Sequence, residues 1–460
     1  MARVLLIQPH NNIREKSKMI VPPSSLIHVA TAIEHKHPVK IFDRNLNFKD
    51  NFLFEFIRRF SPDIIGFTAM TSTMLYDIVY LGPLIKKAFP KIIIVVGGVH
   101  PTIEPDSVLN EPYVDFIVRG EGEKAFLEFC DTFDKSPKKL NKLKNINKNP
   151  LRPFLDLNTL KFPNYGLVDL KKYGQFFLFT SRGCPGRCTF CYNVGMWGKD
   201  GNPCVRAYDT EKTKEIFKEA IEKYGITDFT ISDENFITFK KRSIEVGKFL
   251  AKNYPRKIHF LIFGRADFMK KNEEALPILK KAGCHTIQLG SESGSQRILD
   301  FLNKNISVKT QAEAIQICKK YGIFSDASFM VGMPTETIEE AEMTGKFIKK
   351  TKPDLVDIKI FNPIPGTKVF EDLVNEGIIN KPKTLEDWAS WQGNWRDMKH
   401  NFSKIPNDLL LQFAGKFWNY NYYRSRFQKA LYWLRYGRVK YVLRKVRQGL
   451  IREYNKEGLY

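Results

Sequence analysis

The sequence has no apolar run long enough to cross a membrane. Its longest strongly apolar stretch is Ile92 to Val99, far short of the roughly 20 residues a span needs. A secretory leader is also missing: Met1 to Pro9 reads as a short buried strand without a cleavage site. The expected location is therefore cytoplasmic. Cysteine is scarce, with seven in 460 residues, which excludes a disulfide scaffold. Acidic residues are in deficit, 50 against 73 Lys and Arg, leaving a net charge of +23. Such an excess favours nucleic acid, anionic lipid or a phosphorylated substrate without choosing among them. No solenoid-type repeat is present. What the chain does have is length for two or three domains and 43% apolar residues to fill their cores.

Residues 1–133 alternate short β-branched runs with helical patterns. Arg3–Gln8, Val39–Asp43, Asp63–Thr68, Ile92–Val96 and Phe116–Arg119 are the strands. Buried strands separated by helices predict a doubly wound parallel sheet. Ligands of such sheets bind on the loops at the carboxyl ends of strands, here Gln8–Asn12, Thr68–Met74, Gly97–Thr102 and Gly120–Glu123. Residues 134–173 are expected to be a linker. Its first half, Asp134–Pro150, holds six lysines and reads as exposed chain. Residues 174–370 carry six βα units, with strands near Phe176–Thr180, Asp228–Ser232, Ile258–Phe263, Thr286–Gly290, Ala327–Val331 and Val356–Phe361. A partial or full βα barrel follows, with its chemistry at the carboxyl ends of the strands. The whole is thus an α/β chain ending in a mostly helical, aromatic and basic extension over 371–460.

Three of the seven cysteines lie within eight residues, in TSRGCPGRCTFCYN, Thr180–Asn193. In a reducing compartment such a trio points to metal or catalysis. Cys184, Cys188 and Cys191, on the loop after the first barrel strand, can satisfy three irons of a cubane and leave the fourth open, as a substrate-binding metal centre requires. Gly183, Pro185 and Gly186 let the loop curl tightly. A structural zinc site is the alternative, with Cys204 as the only plausible fourth ligand. Cys130, Cys284 and Cys318 read as buried structural thiols.

This loop resembles the signature of radical S-adenosylmethionine enzymes, including Phe190 just before the third cysteine. The resemblance continues in order through SDENF (Ser232–Phe236), FGRAD (Phe263–Asp267), GSESGS (Gly290–Ser295), VGMPTE (Val331–Glu336) and FNPIPGT (Phe361–Thr367). It implies a 4Fe–4S cluster whose free iron binds the amino and carboxylate groups of S-adenosylmethionine. One electron then releases methionine and a 5′-deoxyadenosyl radical. By the same resemblance Glu234 holds the methionine amino group and Arg265 its carboxylate, both sensible pairings of opposite charge. Ser291 or Glu292 takes the ribose hydroxyls, and Gly332 and Met333 line the adenine.

Residues 1–133 resemble the cobalamin-binding domain that precedes the barrel in one branch of that family. The matching stretches are Pro22–Pro23, Asp63–Met74 with Thr68 and Thr71, Gly97–Thr102 with Gly97, Gly98 and His100, and Arg119–Glu123 with Glu121. Small residues there leave room for the corrin's nucleotide tail. The D-x-H-x-x-G motif of histidine-ligated cobalamin is missing, so cobalamin is expected without a histidine on cobalt.

The resemblance implies methylation or oxidative cyclisation of an unactivated carbon in a small or lipid-like substrate, with an external electron donor. An RNA-modifying radical enzyme is the alternative, but it brings an N-terminal cysteine trio, and only Cys130 precedes Cys184 here. A non-catalytic iron–sulfur or cobalamin module is a third reading. Phe427–Gln448 has Lys429, Arg435, Arg438, Lys440, Arg444, Lys445 and Arg447 opposite helix-spaced apolar residues. It reads first as a helix capping the barrel. Contact with an anionic membrane surface comes second, and RNA third.

Overall fold

In the computed structural model, residues 1–11, 20–197, 203–391, 398 and 400–417 are described. The N-terminal unit runs β1 (Val4–Gln8), α1 (Ser24–Ile33), β2 (Val39–Asp43), α2 (Asp50–Phe60), β3 (Ile64–Thr68), α3 (Leu75–Ala88), β4 (Ile93–Gly97), α4 (Val99–Ile103), α5 (Pro105–Leu109), β5 (Phe116–Val118) and α6 (Gly122–Lys135). The strands pair in the order β2-β1-β3-β4-β5, all parallel. Strand alternation divides the core between two faces. Val4, Leu6, Ile64 and Val95 pack under α1 and α6 with Leu26, Phe126 and Phe129. Leu5, Ile7, Ile65 and Phe67 face α2 and α3.

The second unit runs β6 (Phe176–Leu178), β7 (Ser181–Arg182), α7 (Asn193–Trp197), β8 (Arg206–Ala207), α8 (Thr210–Glu222), β9 (Asp228–Ile231), α9 (Lys240–Asn253), β10 (His259–Gly264), α10 (Ala266–Lys271), α11 (Ala275–Ala282), β11 (Cys284–Glu292), α12 (Gln296–Phe301), α13 (Val308–Lys320), β12 (Phe324–Val331), α14 (Ile338–Thr351) and β13 (Leu355–Ile360). Six strands form one parallel sheet in the order β13-β12-β11-β10-β9-β6. Among the described residues the outer strands β6 and β13 do not pair, so the barrel is partial. The short strands β7 and β8 make a separate antiparallel pair beside the cysteine loop.

One expectation changes. Residues 134–173 are not exposed linker throughout. Four short 3-10 turns lie there, and Leu140, Ile146, Leu157, Tyr165 and Tyr173 are buried. The Tyr173 hydroxyl donates to Asp43 at 3.0 Å, and the Tyr165 hydroxyl to the carbonyl of Phe177 at 3.1 Å. Lysines keep their heads in water while a few apolar anchors hold the path. After the barrel, α15 (Lys368–Asn375) and α16 (Leu385–Trp391) return to the N-terminal unit. Trp388 is fully buried in the core that α3 and the N-terminal sheet share. A helix over 407–417 packs Leu410, Ala414 and Phe417 into the barrel core. The basic stretch Phe427–Gln448, together with Trp395, Trp418, Tyr420, Tyr422 and Tyr423, lies outside the described residues.

Candidate functional site

The cysteine loop is shaped by what a Cβ would strike. Gly183 has φ +86°, and a Cβ there would sit 1.9 Å from the Cys204 carbonyl oxygen. At Gly186 it would meet Arg265 Nη1 at 2.6 Å. The Gly186 N–H donates to Cys184 Sγ at 3.4 Å, and the Cys191 N–H to the carbonyl of Cys188 at 3.2 Å. Cys188 is buried and its two partners are half-buried. Burial raises the Cys184 thiol and pushes Cys191 up to about 12. Buried thiols of this kind ionise when a metal takes them. Among the described residues no three His, Cys, Asp or Glu side chains converge on a single-ion site. The Cys204 backbone carbonyl lies beside Gly183.

Two buried cations flank the loop. Arg265 donates from Nη1 to Cys188 Sγ at 3.6 Å, grips Asp267 through Nε and Nη2, and reaches the carbonyl of Lys304 at 2.9 Å. Lys304 pairs with Glu292 at 2.7 Å, and its ammonium lies 5.9 Å from the centre of the Phe190 ring. Burial is the largest influence and lowers the Lys304 ammonium, but Glu292 and Cys188 together outweigh it and the net shift is upward. Glu292 has φ +65°, at an irregularity where β11 meets β12. Strain of this kind clusters at functional sites.

Asp233 anchors the floor. It is fully buried and accepts from the Thr180 N–H at 2.5 Å, the Thr180 hydroxyl at 2.6 Å, the Ser181 N–H at 2.9 Å and Arg242 Nη2 at 3.1 Å. This ties the start of the cysteine loop to the strand end that carries Glu234. Burial holds the Glu234 carboxyl above the usual range, with Asn193 opposing and Asp233 adding.

Between the two units opens a largely apolar cleft, about 1280 Å³ of empty space counting its mouth. Thr68, Gly97, Gly98, Gly120 and Glu121 line it from the N-terminal strand ends, and Phe179, Arg182, Tyr192, Trp197 and Glu234 from the barrel. Gly98 has φ +107°, and a Cβ would strike the Ala69 carbonyl at 2.7 Å. Gly97 is different: a Cβ there would meet nothing nearer than Val118 O at 3.6 Å. With Gly98 and Gly120 it lines the cleft without a side chain, as close approach of a flat cofactor would require.

The predicted residues divide. Thr68, Gly97, Gly98, Glu121 and Glu234 meet at the cleft. Thr71 and His100 do not line it. His100 is completely buried, with Nδ1 2.8 Å from Thr71 Oγ1, Nε2 3.0 Å from Ser107 Oγ and Trp388 edge-on at 5.7 Å. Burial lowers its pKa to about 3. With both nitrogens engaged, it is a packing residue rather than a cofactor contact. Glu121 reaches the cleft with its carboxylate already taken by Arg182, Arg206 and the Leu155 N–H. Arg265, expected to hold the methionine carboxylate, is committed to Asp267 and the Cys188 sulfur. Gly332 and Met333 donate their N–H groups to Glu336 at 2.6 and 3.0 Å, and the Met333 side chain is fully buried. Ser291 is buried at the end of β11. Sequence reasoning does not single out Asp233, Arg182 or Lys304; the first two lie inside the SDENF and TSRGCPGRCTFCYN motifs, whereas Lys304 falls nine residues beyond GSESGS.

Residues 178–348 match the radical SAM superfamily and residues 12–129 the B12 binding domain. An uncharacterised methyltransferase, PH0819, of Pyrococcus horikoshii is 33% identical over 399 residues, 82% of this chain and 84% of the relative. The chain belongs to the cobalamin-binding radical S-adenosylmethionine enzymes. It uses a 4Fe–4S cluster, S-adenosylmethionine and cobalamin. An anaerobic magnesium-protoporphyrin IX monomethyl ester cyclase of Cereibacter sphaeroides is 29% identical over 340 residues, covering 70% of this chain and 55% of that enzyme. The fold matches the radical S-adenosylmethionine methyltransferase TsrM of Kitasatospora setae, solved with cobalamin and a [4Fe-4S] cluster, at a TM-score of 0.68. That match has 17% identity and spans 83% of this chain and 76% of that one. When bound, the cluster supplies the electron that cleaves S-adenosylmethionine, and the protein's task is to hold, orient and shield.

Proposed function

We propose that this enzyme methylates an unactivated carbon of a small, largely apolar substrate held in the interdomain cleft. Cys184, Cys188 and Cys191 hold the cluster. Glu234 takes the methionine amino group, and Lys304 and Glu292 stand at the ribose and carboxylate end. The reading is carried by one observation: a single apolar cleft is lined jointly by the glycine cradle at Gly97–Gly98 and by Tyr192 and Glu234 beside the cysteine loop. Relatives point to both outcomes, a bacteriochlorophyllide d C-8(2)-methyltransferase of Chlorobaculum tepidum and a hopanoid C-3 methylase of Methylococcus capsulatus on one side, the ester cyclase on the other. The decisive assay uses reduced, cobalamin-loaded protein and S-adenosylmethionine with candidate apolar substrates. Methyl transfer yields S-adenosylhomocysteine together with 5′-deoxyadenosine; cyclisation yields 5′-deoxyadenosine without it. The electron donor and an anionic membrane surface are further partners in this reading.

A further inference from the structure

The wall of the cleft nearest the cysteine loop is a closed set of buried charges. Arg182 lies in β7, two residues before Cys184. Its Nη1 donates to Glu121 at 2.5 Å and its Nη2 to Glu123. Arg206, on the paired strand β8, donates to both Glu121 oxygens at 3.0 and 3.2 Å and to the carbonyl of Leu155 at 2.6 Å. Arg206 also lies over the Phe154 ring at 4.4 Å. His28 Nδ1 stands 4.0 Å from Glu123. Glu121, Glu123 and Arg182 are all largely buried, with 5%, 8% and 15% of their side chains exposed. Two carboxylates and two guanidiniums balance, so the seam carries no net charge.

Both carboxylates belong to the N-terminal unit, Glu121 at the N-cap of α6 and Glu123 in its first turn, and both line the cleft with Gly97 and Gly98. Both guanidiniums belong to the β7–β8 pair that brackets the cysteine loop. Between Arg182 and Cys184 stands only Gly183, held at φ +86° against the Cys204 carbonyl. On the other side of Arg182, Ser181 and Thr180 are fixed by Asp233. A force on Gly120–Glu123 therefore reaches Cys184 through Arg182, which gives one nitrogen to each carboxylate, and one constrained residue. A planar guanidinium held at both ends is fixed in orientation as well as in charge.

The geometry points to Arg182 as a positioning residue that couples cobalamin occupancy of the cleft to the order of the cysteine loop. It touches neither reacting atom. It acts through Glu121 and Glu123, which line the same cleft as Gly97 and Gly98. The coupling rests on the cobalamin assignment and not on methyl transfer, so either outcome of the substrate assay leaves it standing.

The test is anaerobic hydrogen exchange of the full, cluster-loaded chain, following the peptide over residues 183–192 with and without hydroxocobalamin. Iron content and retained corrin are read in the same samples. Wild-type protein slows exchange of this peptide by about threefold or more when corrin is added. Arg182→Gln keeps four irons and retains corrin, yet the slowing disappears; Arg182→Lys, with charge but no fork, restores part of it. Glu123→Gln, a milder change that leaves the Glu121 contact, gives an intermediate response and serves if Arg182→Gln fails to load iron. Steric cover alone would slow exchange equally in wild type and in both variants, and that result overturns the proposal. Absence of slowing in corrin-loaded wild type overturns it as well. Wild-type chain that retains no corrin overturns the cobalamin assignment, and the coupling with it.

Discussion

Gly97 has neither a positive φ nor a crowded neighbour to demand glycine. Replacing it with alanine should leave the fold intact and intrude on the cleft. Overpacking a fitted surface costs about 1–3 kcal/mol, so Gly97→Ala is expected to weaken hydroxocobalamin retention roughly tenfold, with an unchanged denaturation midpoint. His28 offers a second residue-scale outcome. Burial first, and Arg182 second, lower its pKa to about 4, with Glu123 opposing. The folded state thus keeps this imidazole neutral where an unfolded one protonates near 6.5. Its contribution is present above that unfolded value and is lost as pH falls toward 4. Between pH 7 and pH 5, wild type should lose about 2 kcal/mol more stability than His28→Gln, read from urea midpoints at the two pH values. Equal losses would mean that His28 is not held neutral.

Elements differ in how openly the sequence declares them. Parallel strands buried on both faces read as unbroken β-branched runs. The five N-terminal strands and the six of the barrel accordingly stand within a few residues of their expected places, and the cysteine spacing announced its loop. Two kinds of feature stayed hidden. Over 137–172, lysines and asparagines are interspersed with apolar residues, and anchors such as Leu140 and Tyr165 follow no helical or strand period, so burial left no pattern to find. Pairings such as Glu121 with Arg182 join residues about 60 positions apart, and no local signal encodes a partner at that range. Asp233 shows the cost of breaking such an anchor. It holds two backbone N–H groups at the end of β6 and faces the buried Arg242. Removing one member of a buried ion pair costs about 3–5 kcal/mol. Asp233→Asn should lower stability by that order in chemical denaturation and reduce iron loading; a loss below about 1 kcal/mol would show that the anchor is dispensable.

At the scale of the whole molecule, the chain folds back on itself. Trp388 and Trp391 complete an apolar core begun by α3 and the N-terminal sheet, while the helix over 407–417 closes on the barrel. Among the described residues no helix is long and apolar enough to cross a membrane. The basic stretch beyond residue 424 gives the reading of a membrane partner its test. Full-length protein should sediment with anionic liposomes, and a chain lacking residues 424–460 should not. Absence of binding by either form ends that reading.

The charged seam also has a meaning in time. Glu121 and Glu123 precede Arg182 by about 60 residues, so at about 5–20 residues per second they leave the ribosome some seconds ahead of it. The strands of the sheet that presents them pair only with one another, although Trp388 and Trp391 complete one face of its core later. Its strand pairing can form before Cys184 is translated, and Arg182 then meets its carboxylate partners two residues before the first sulfur that iron will need.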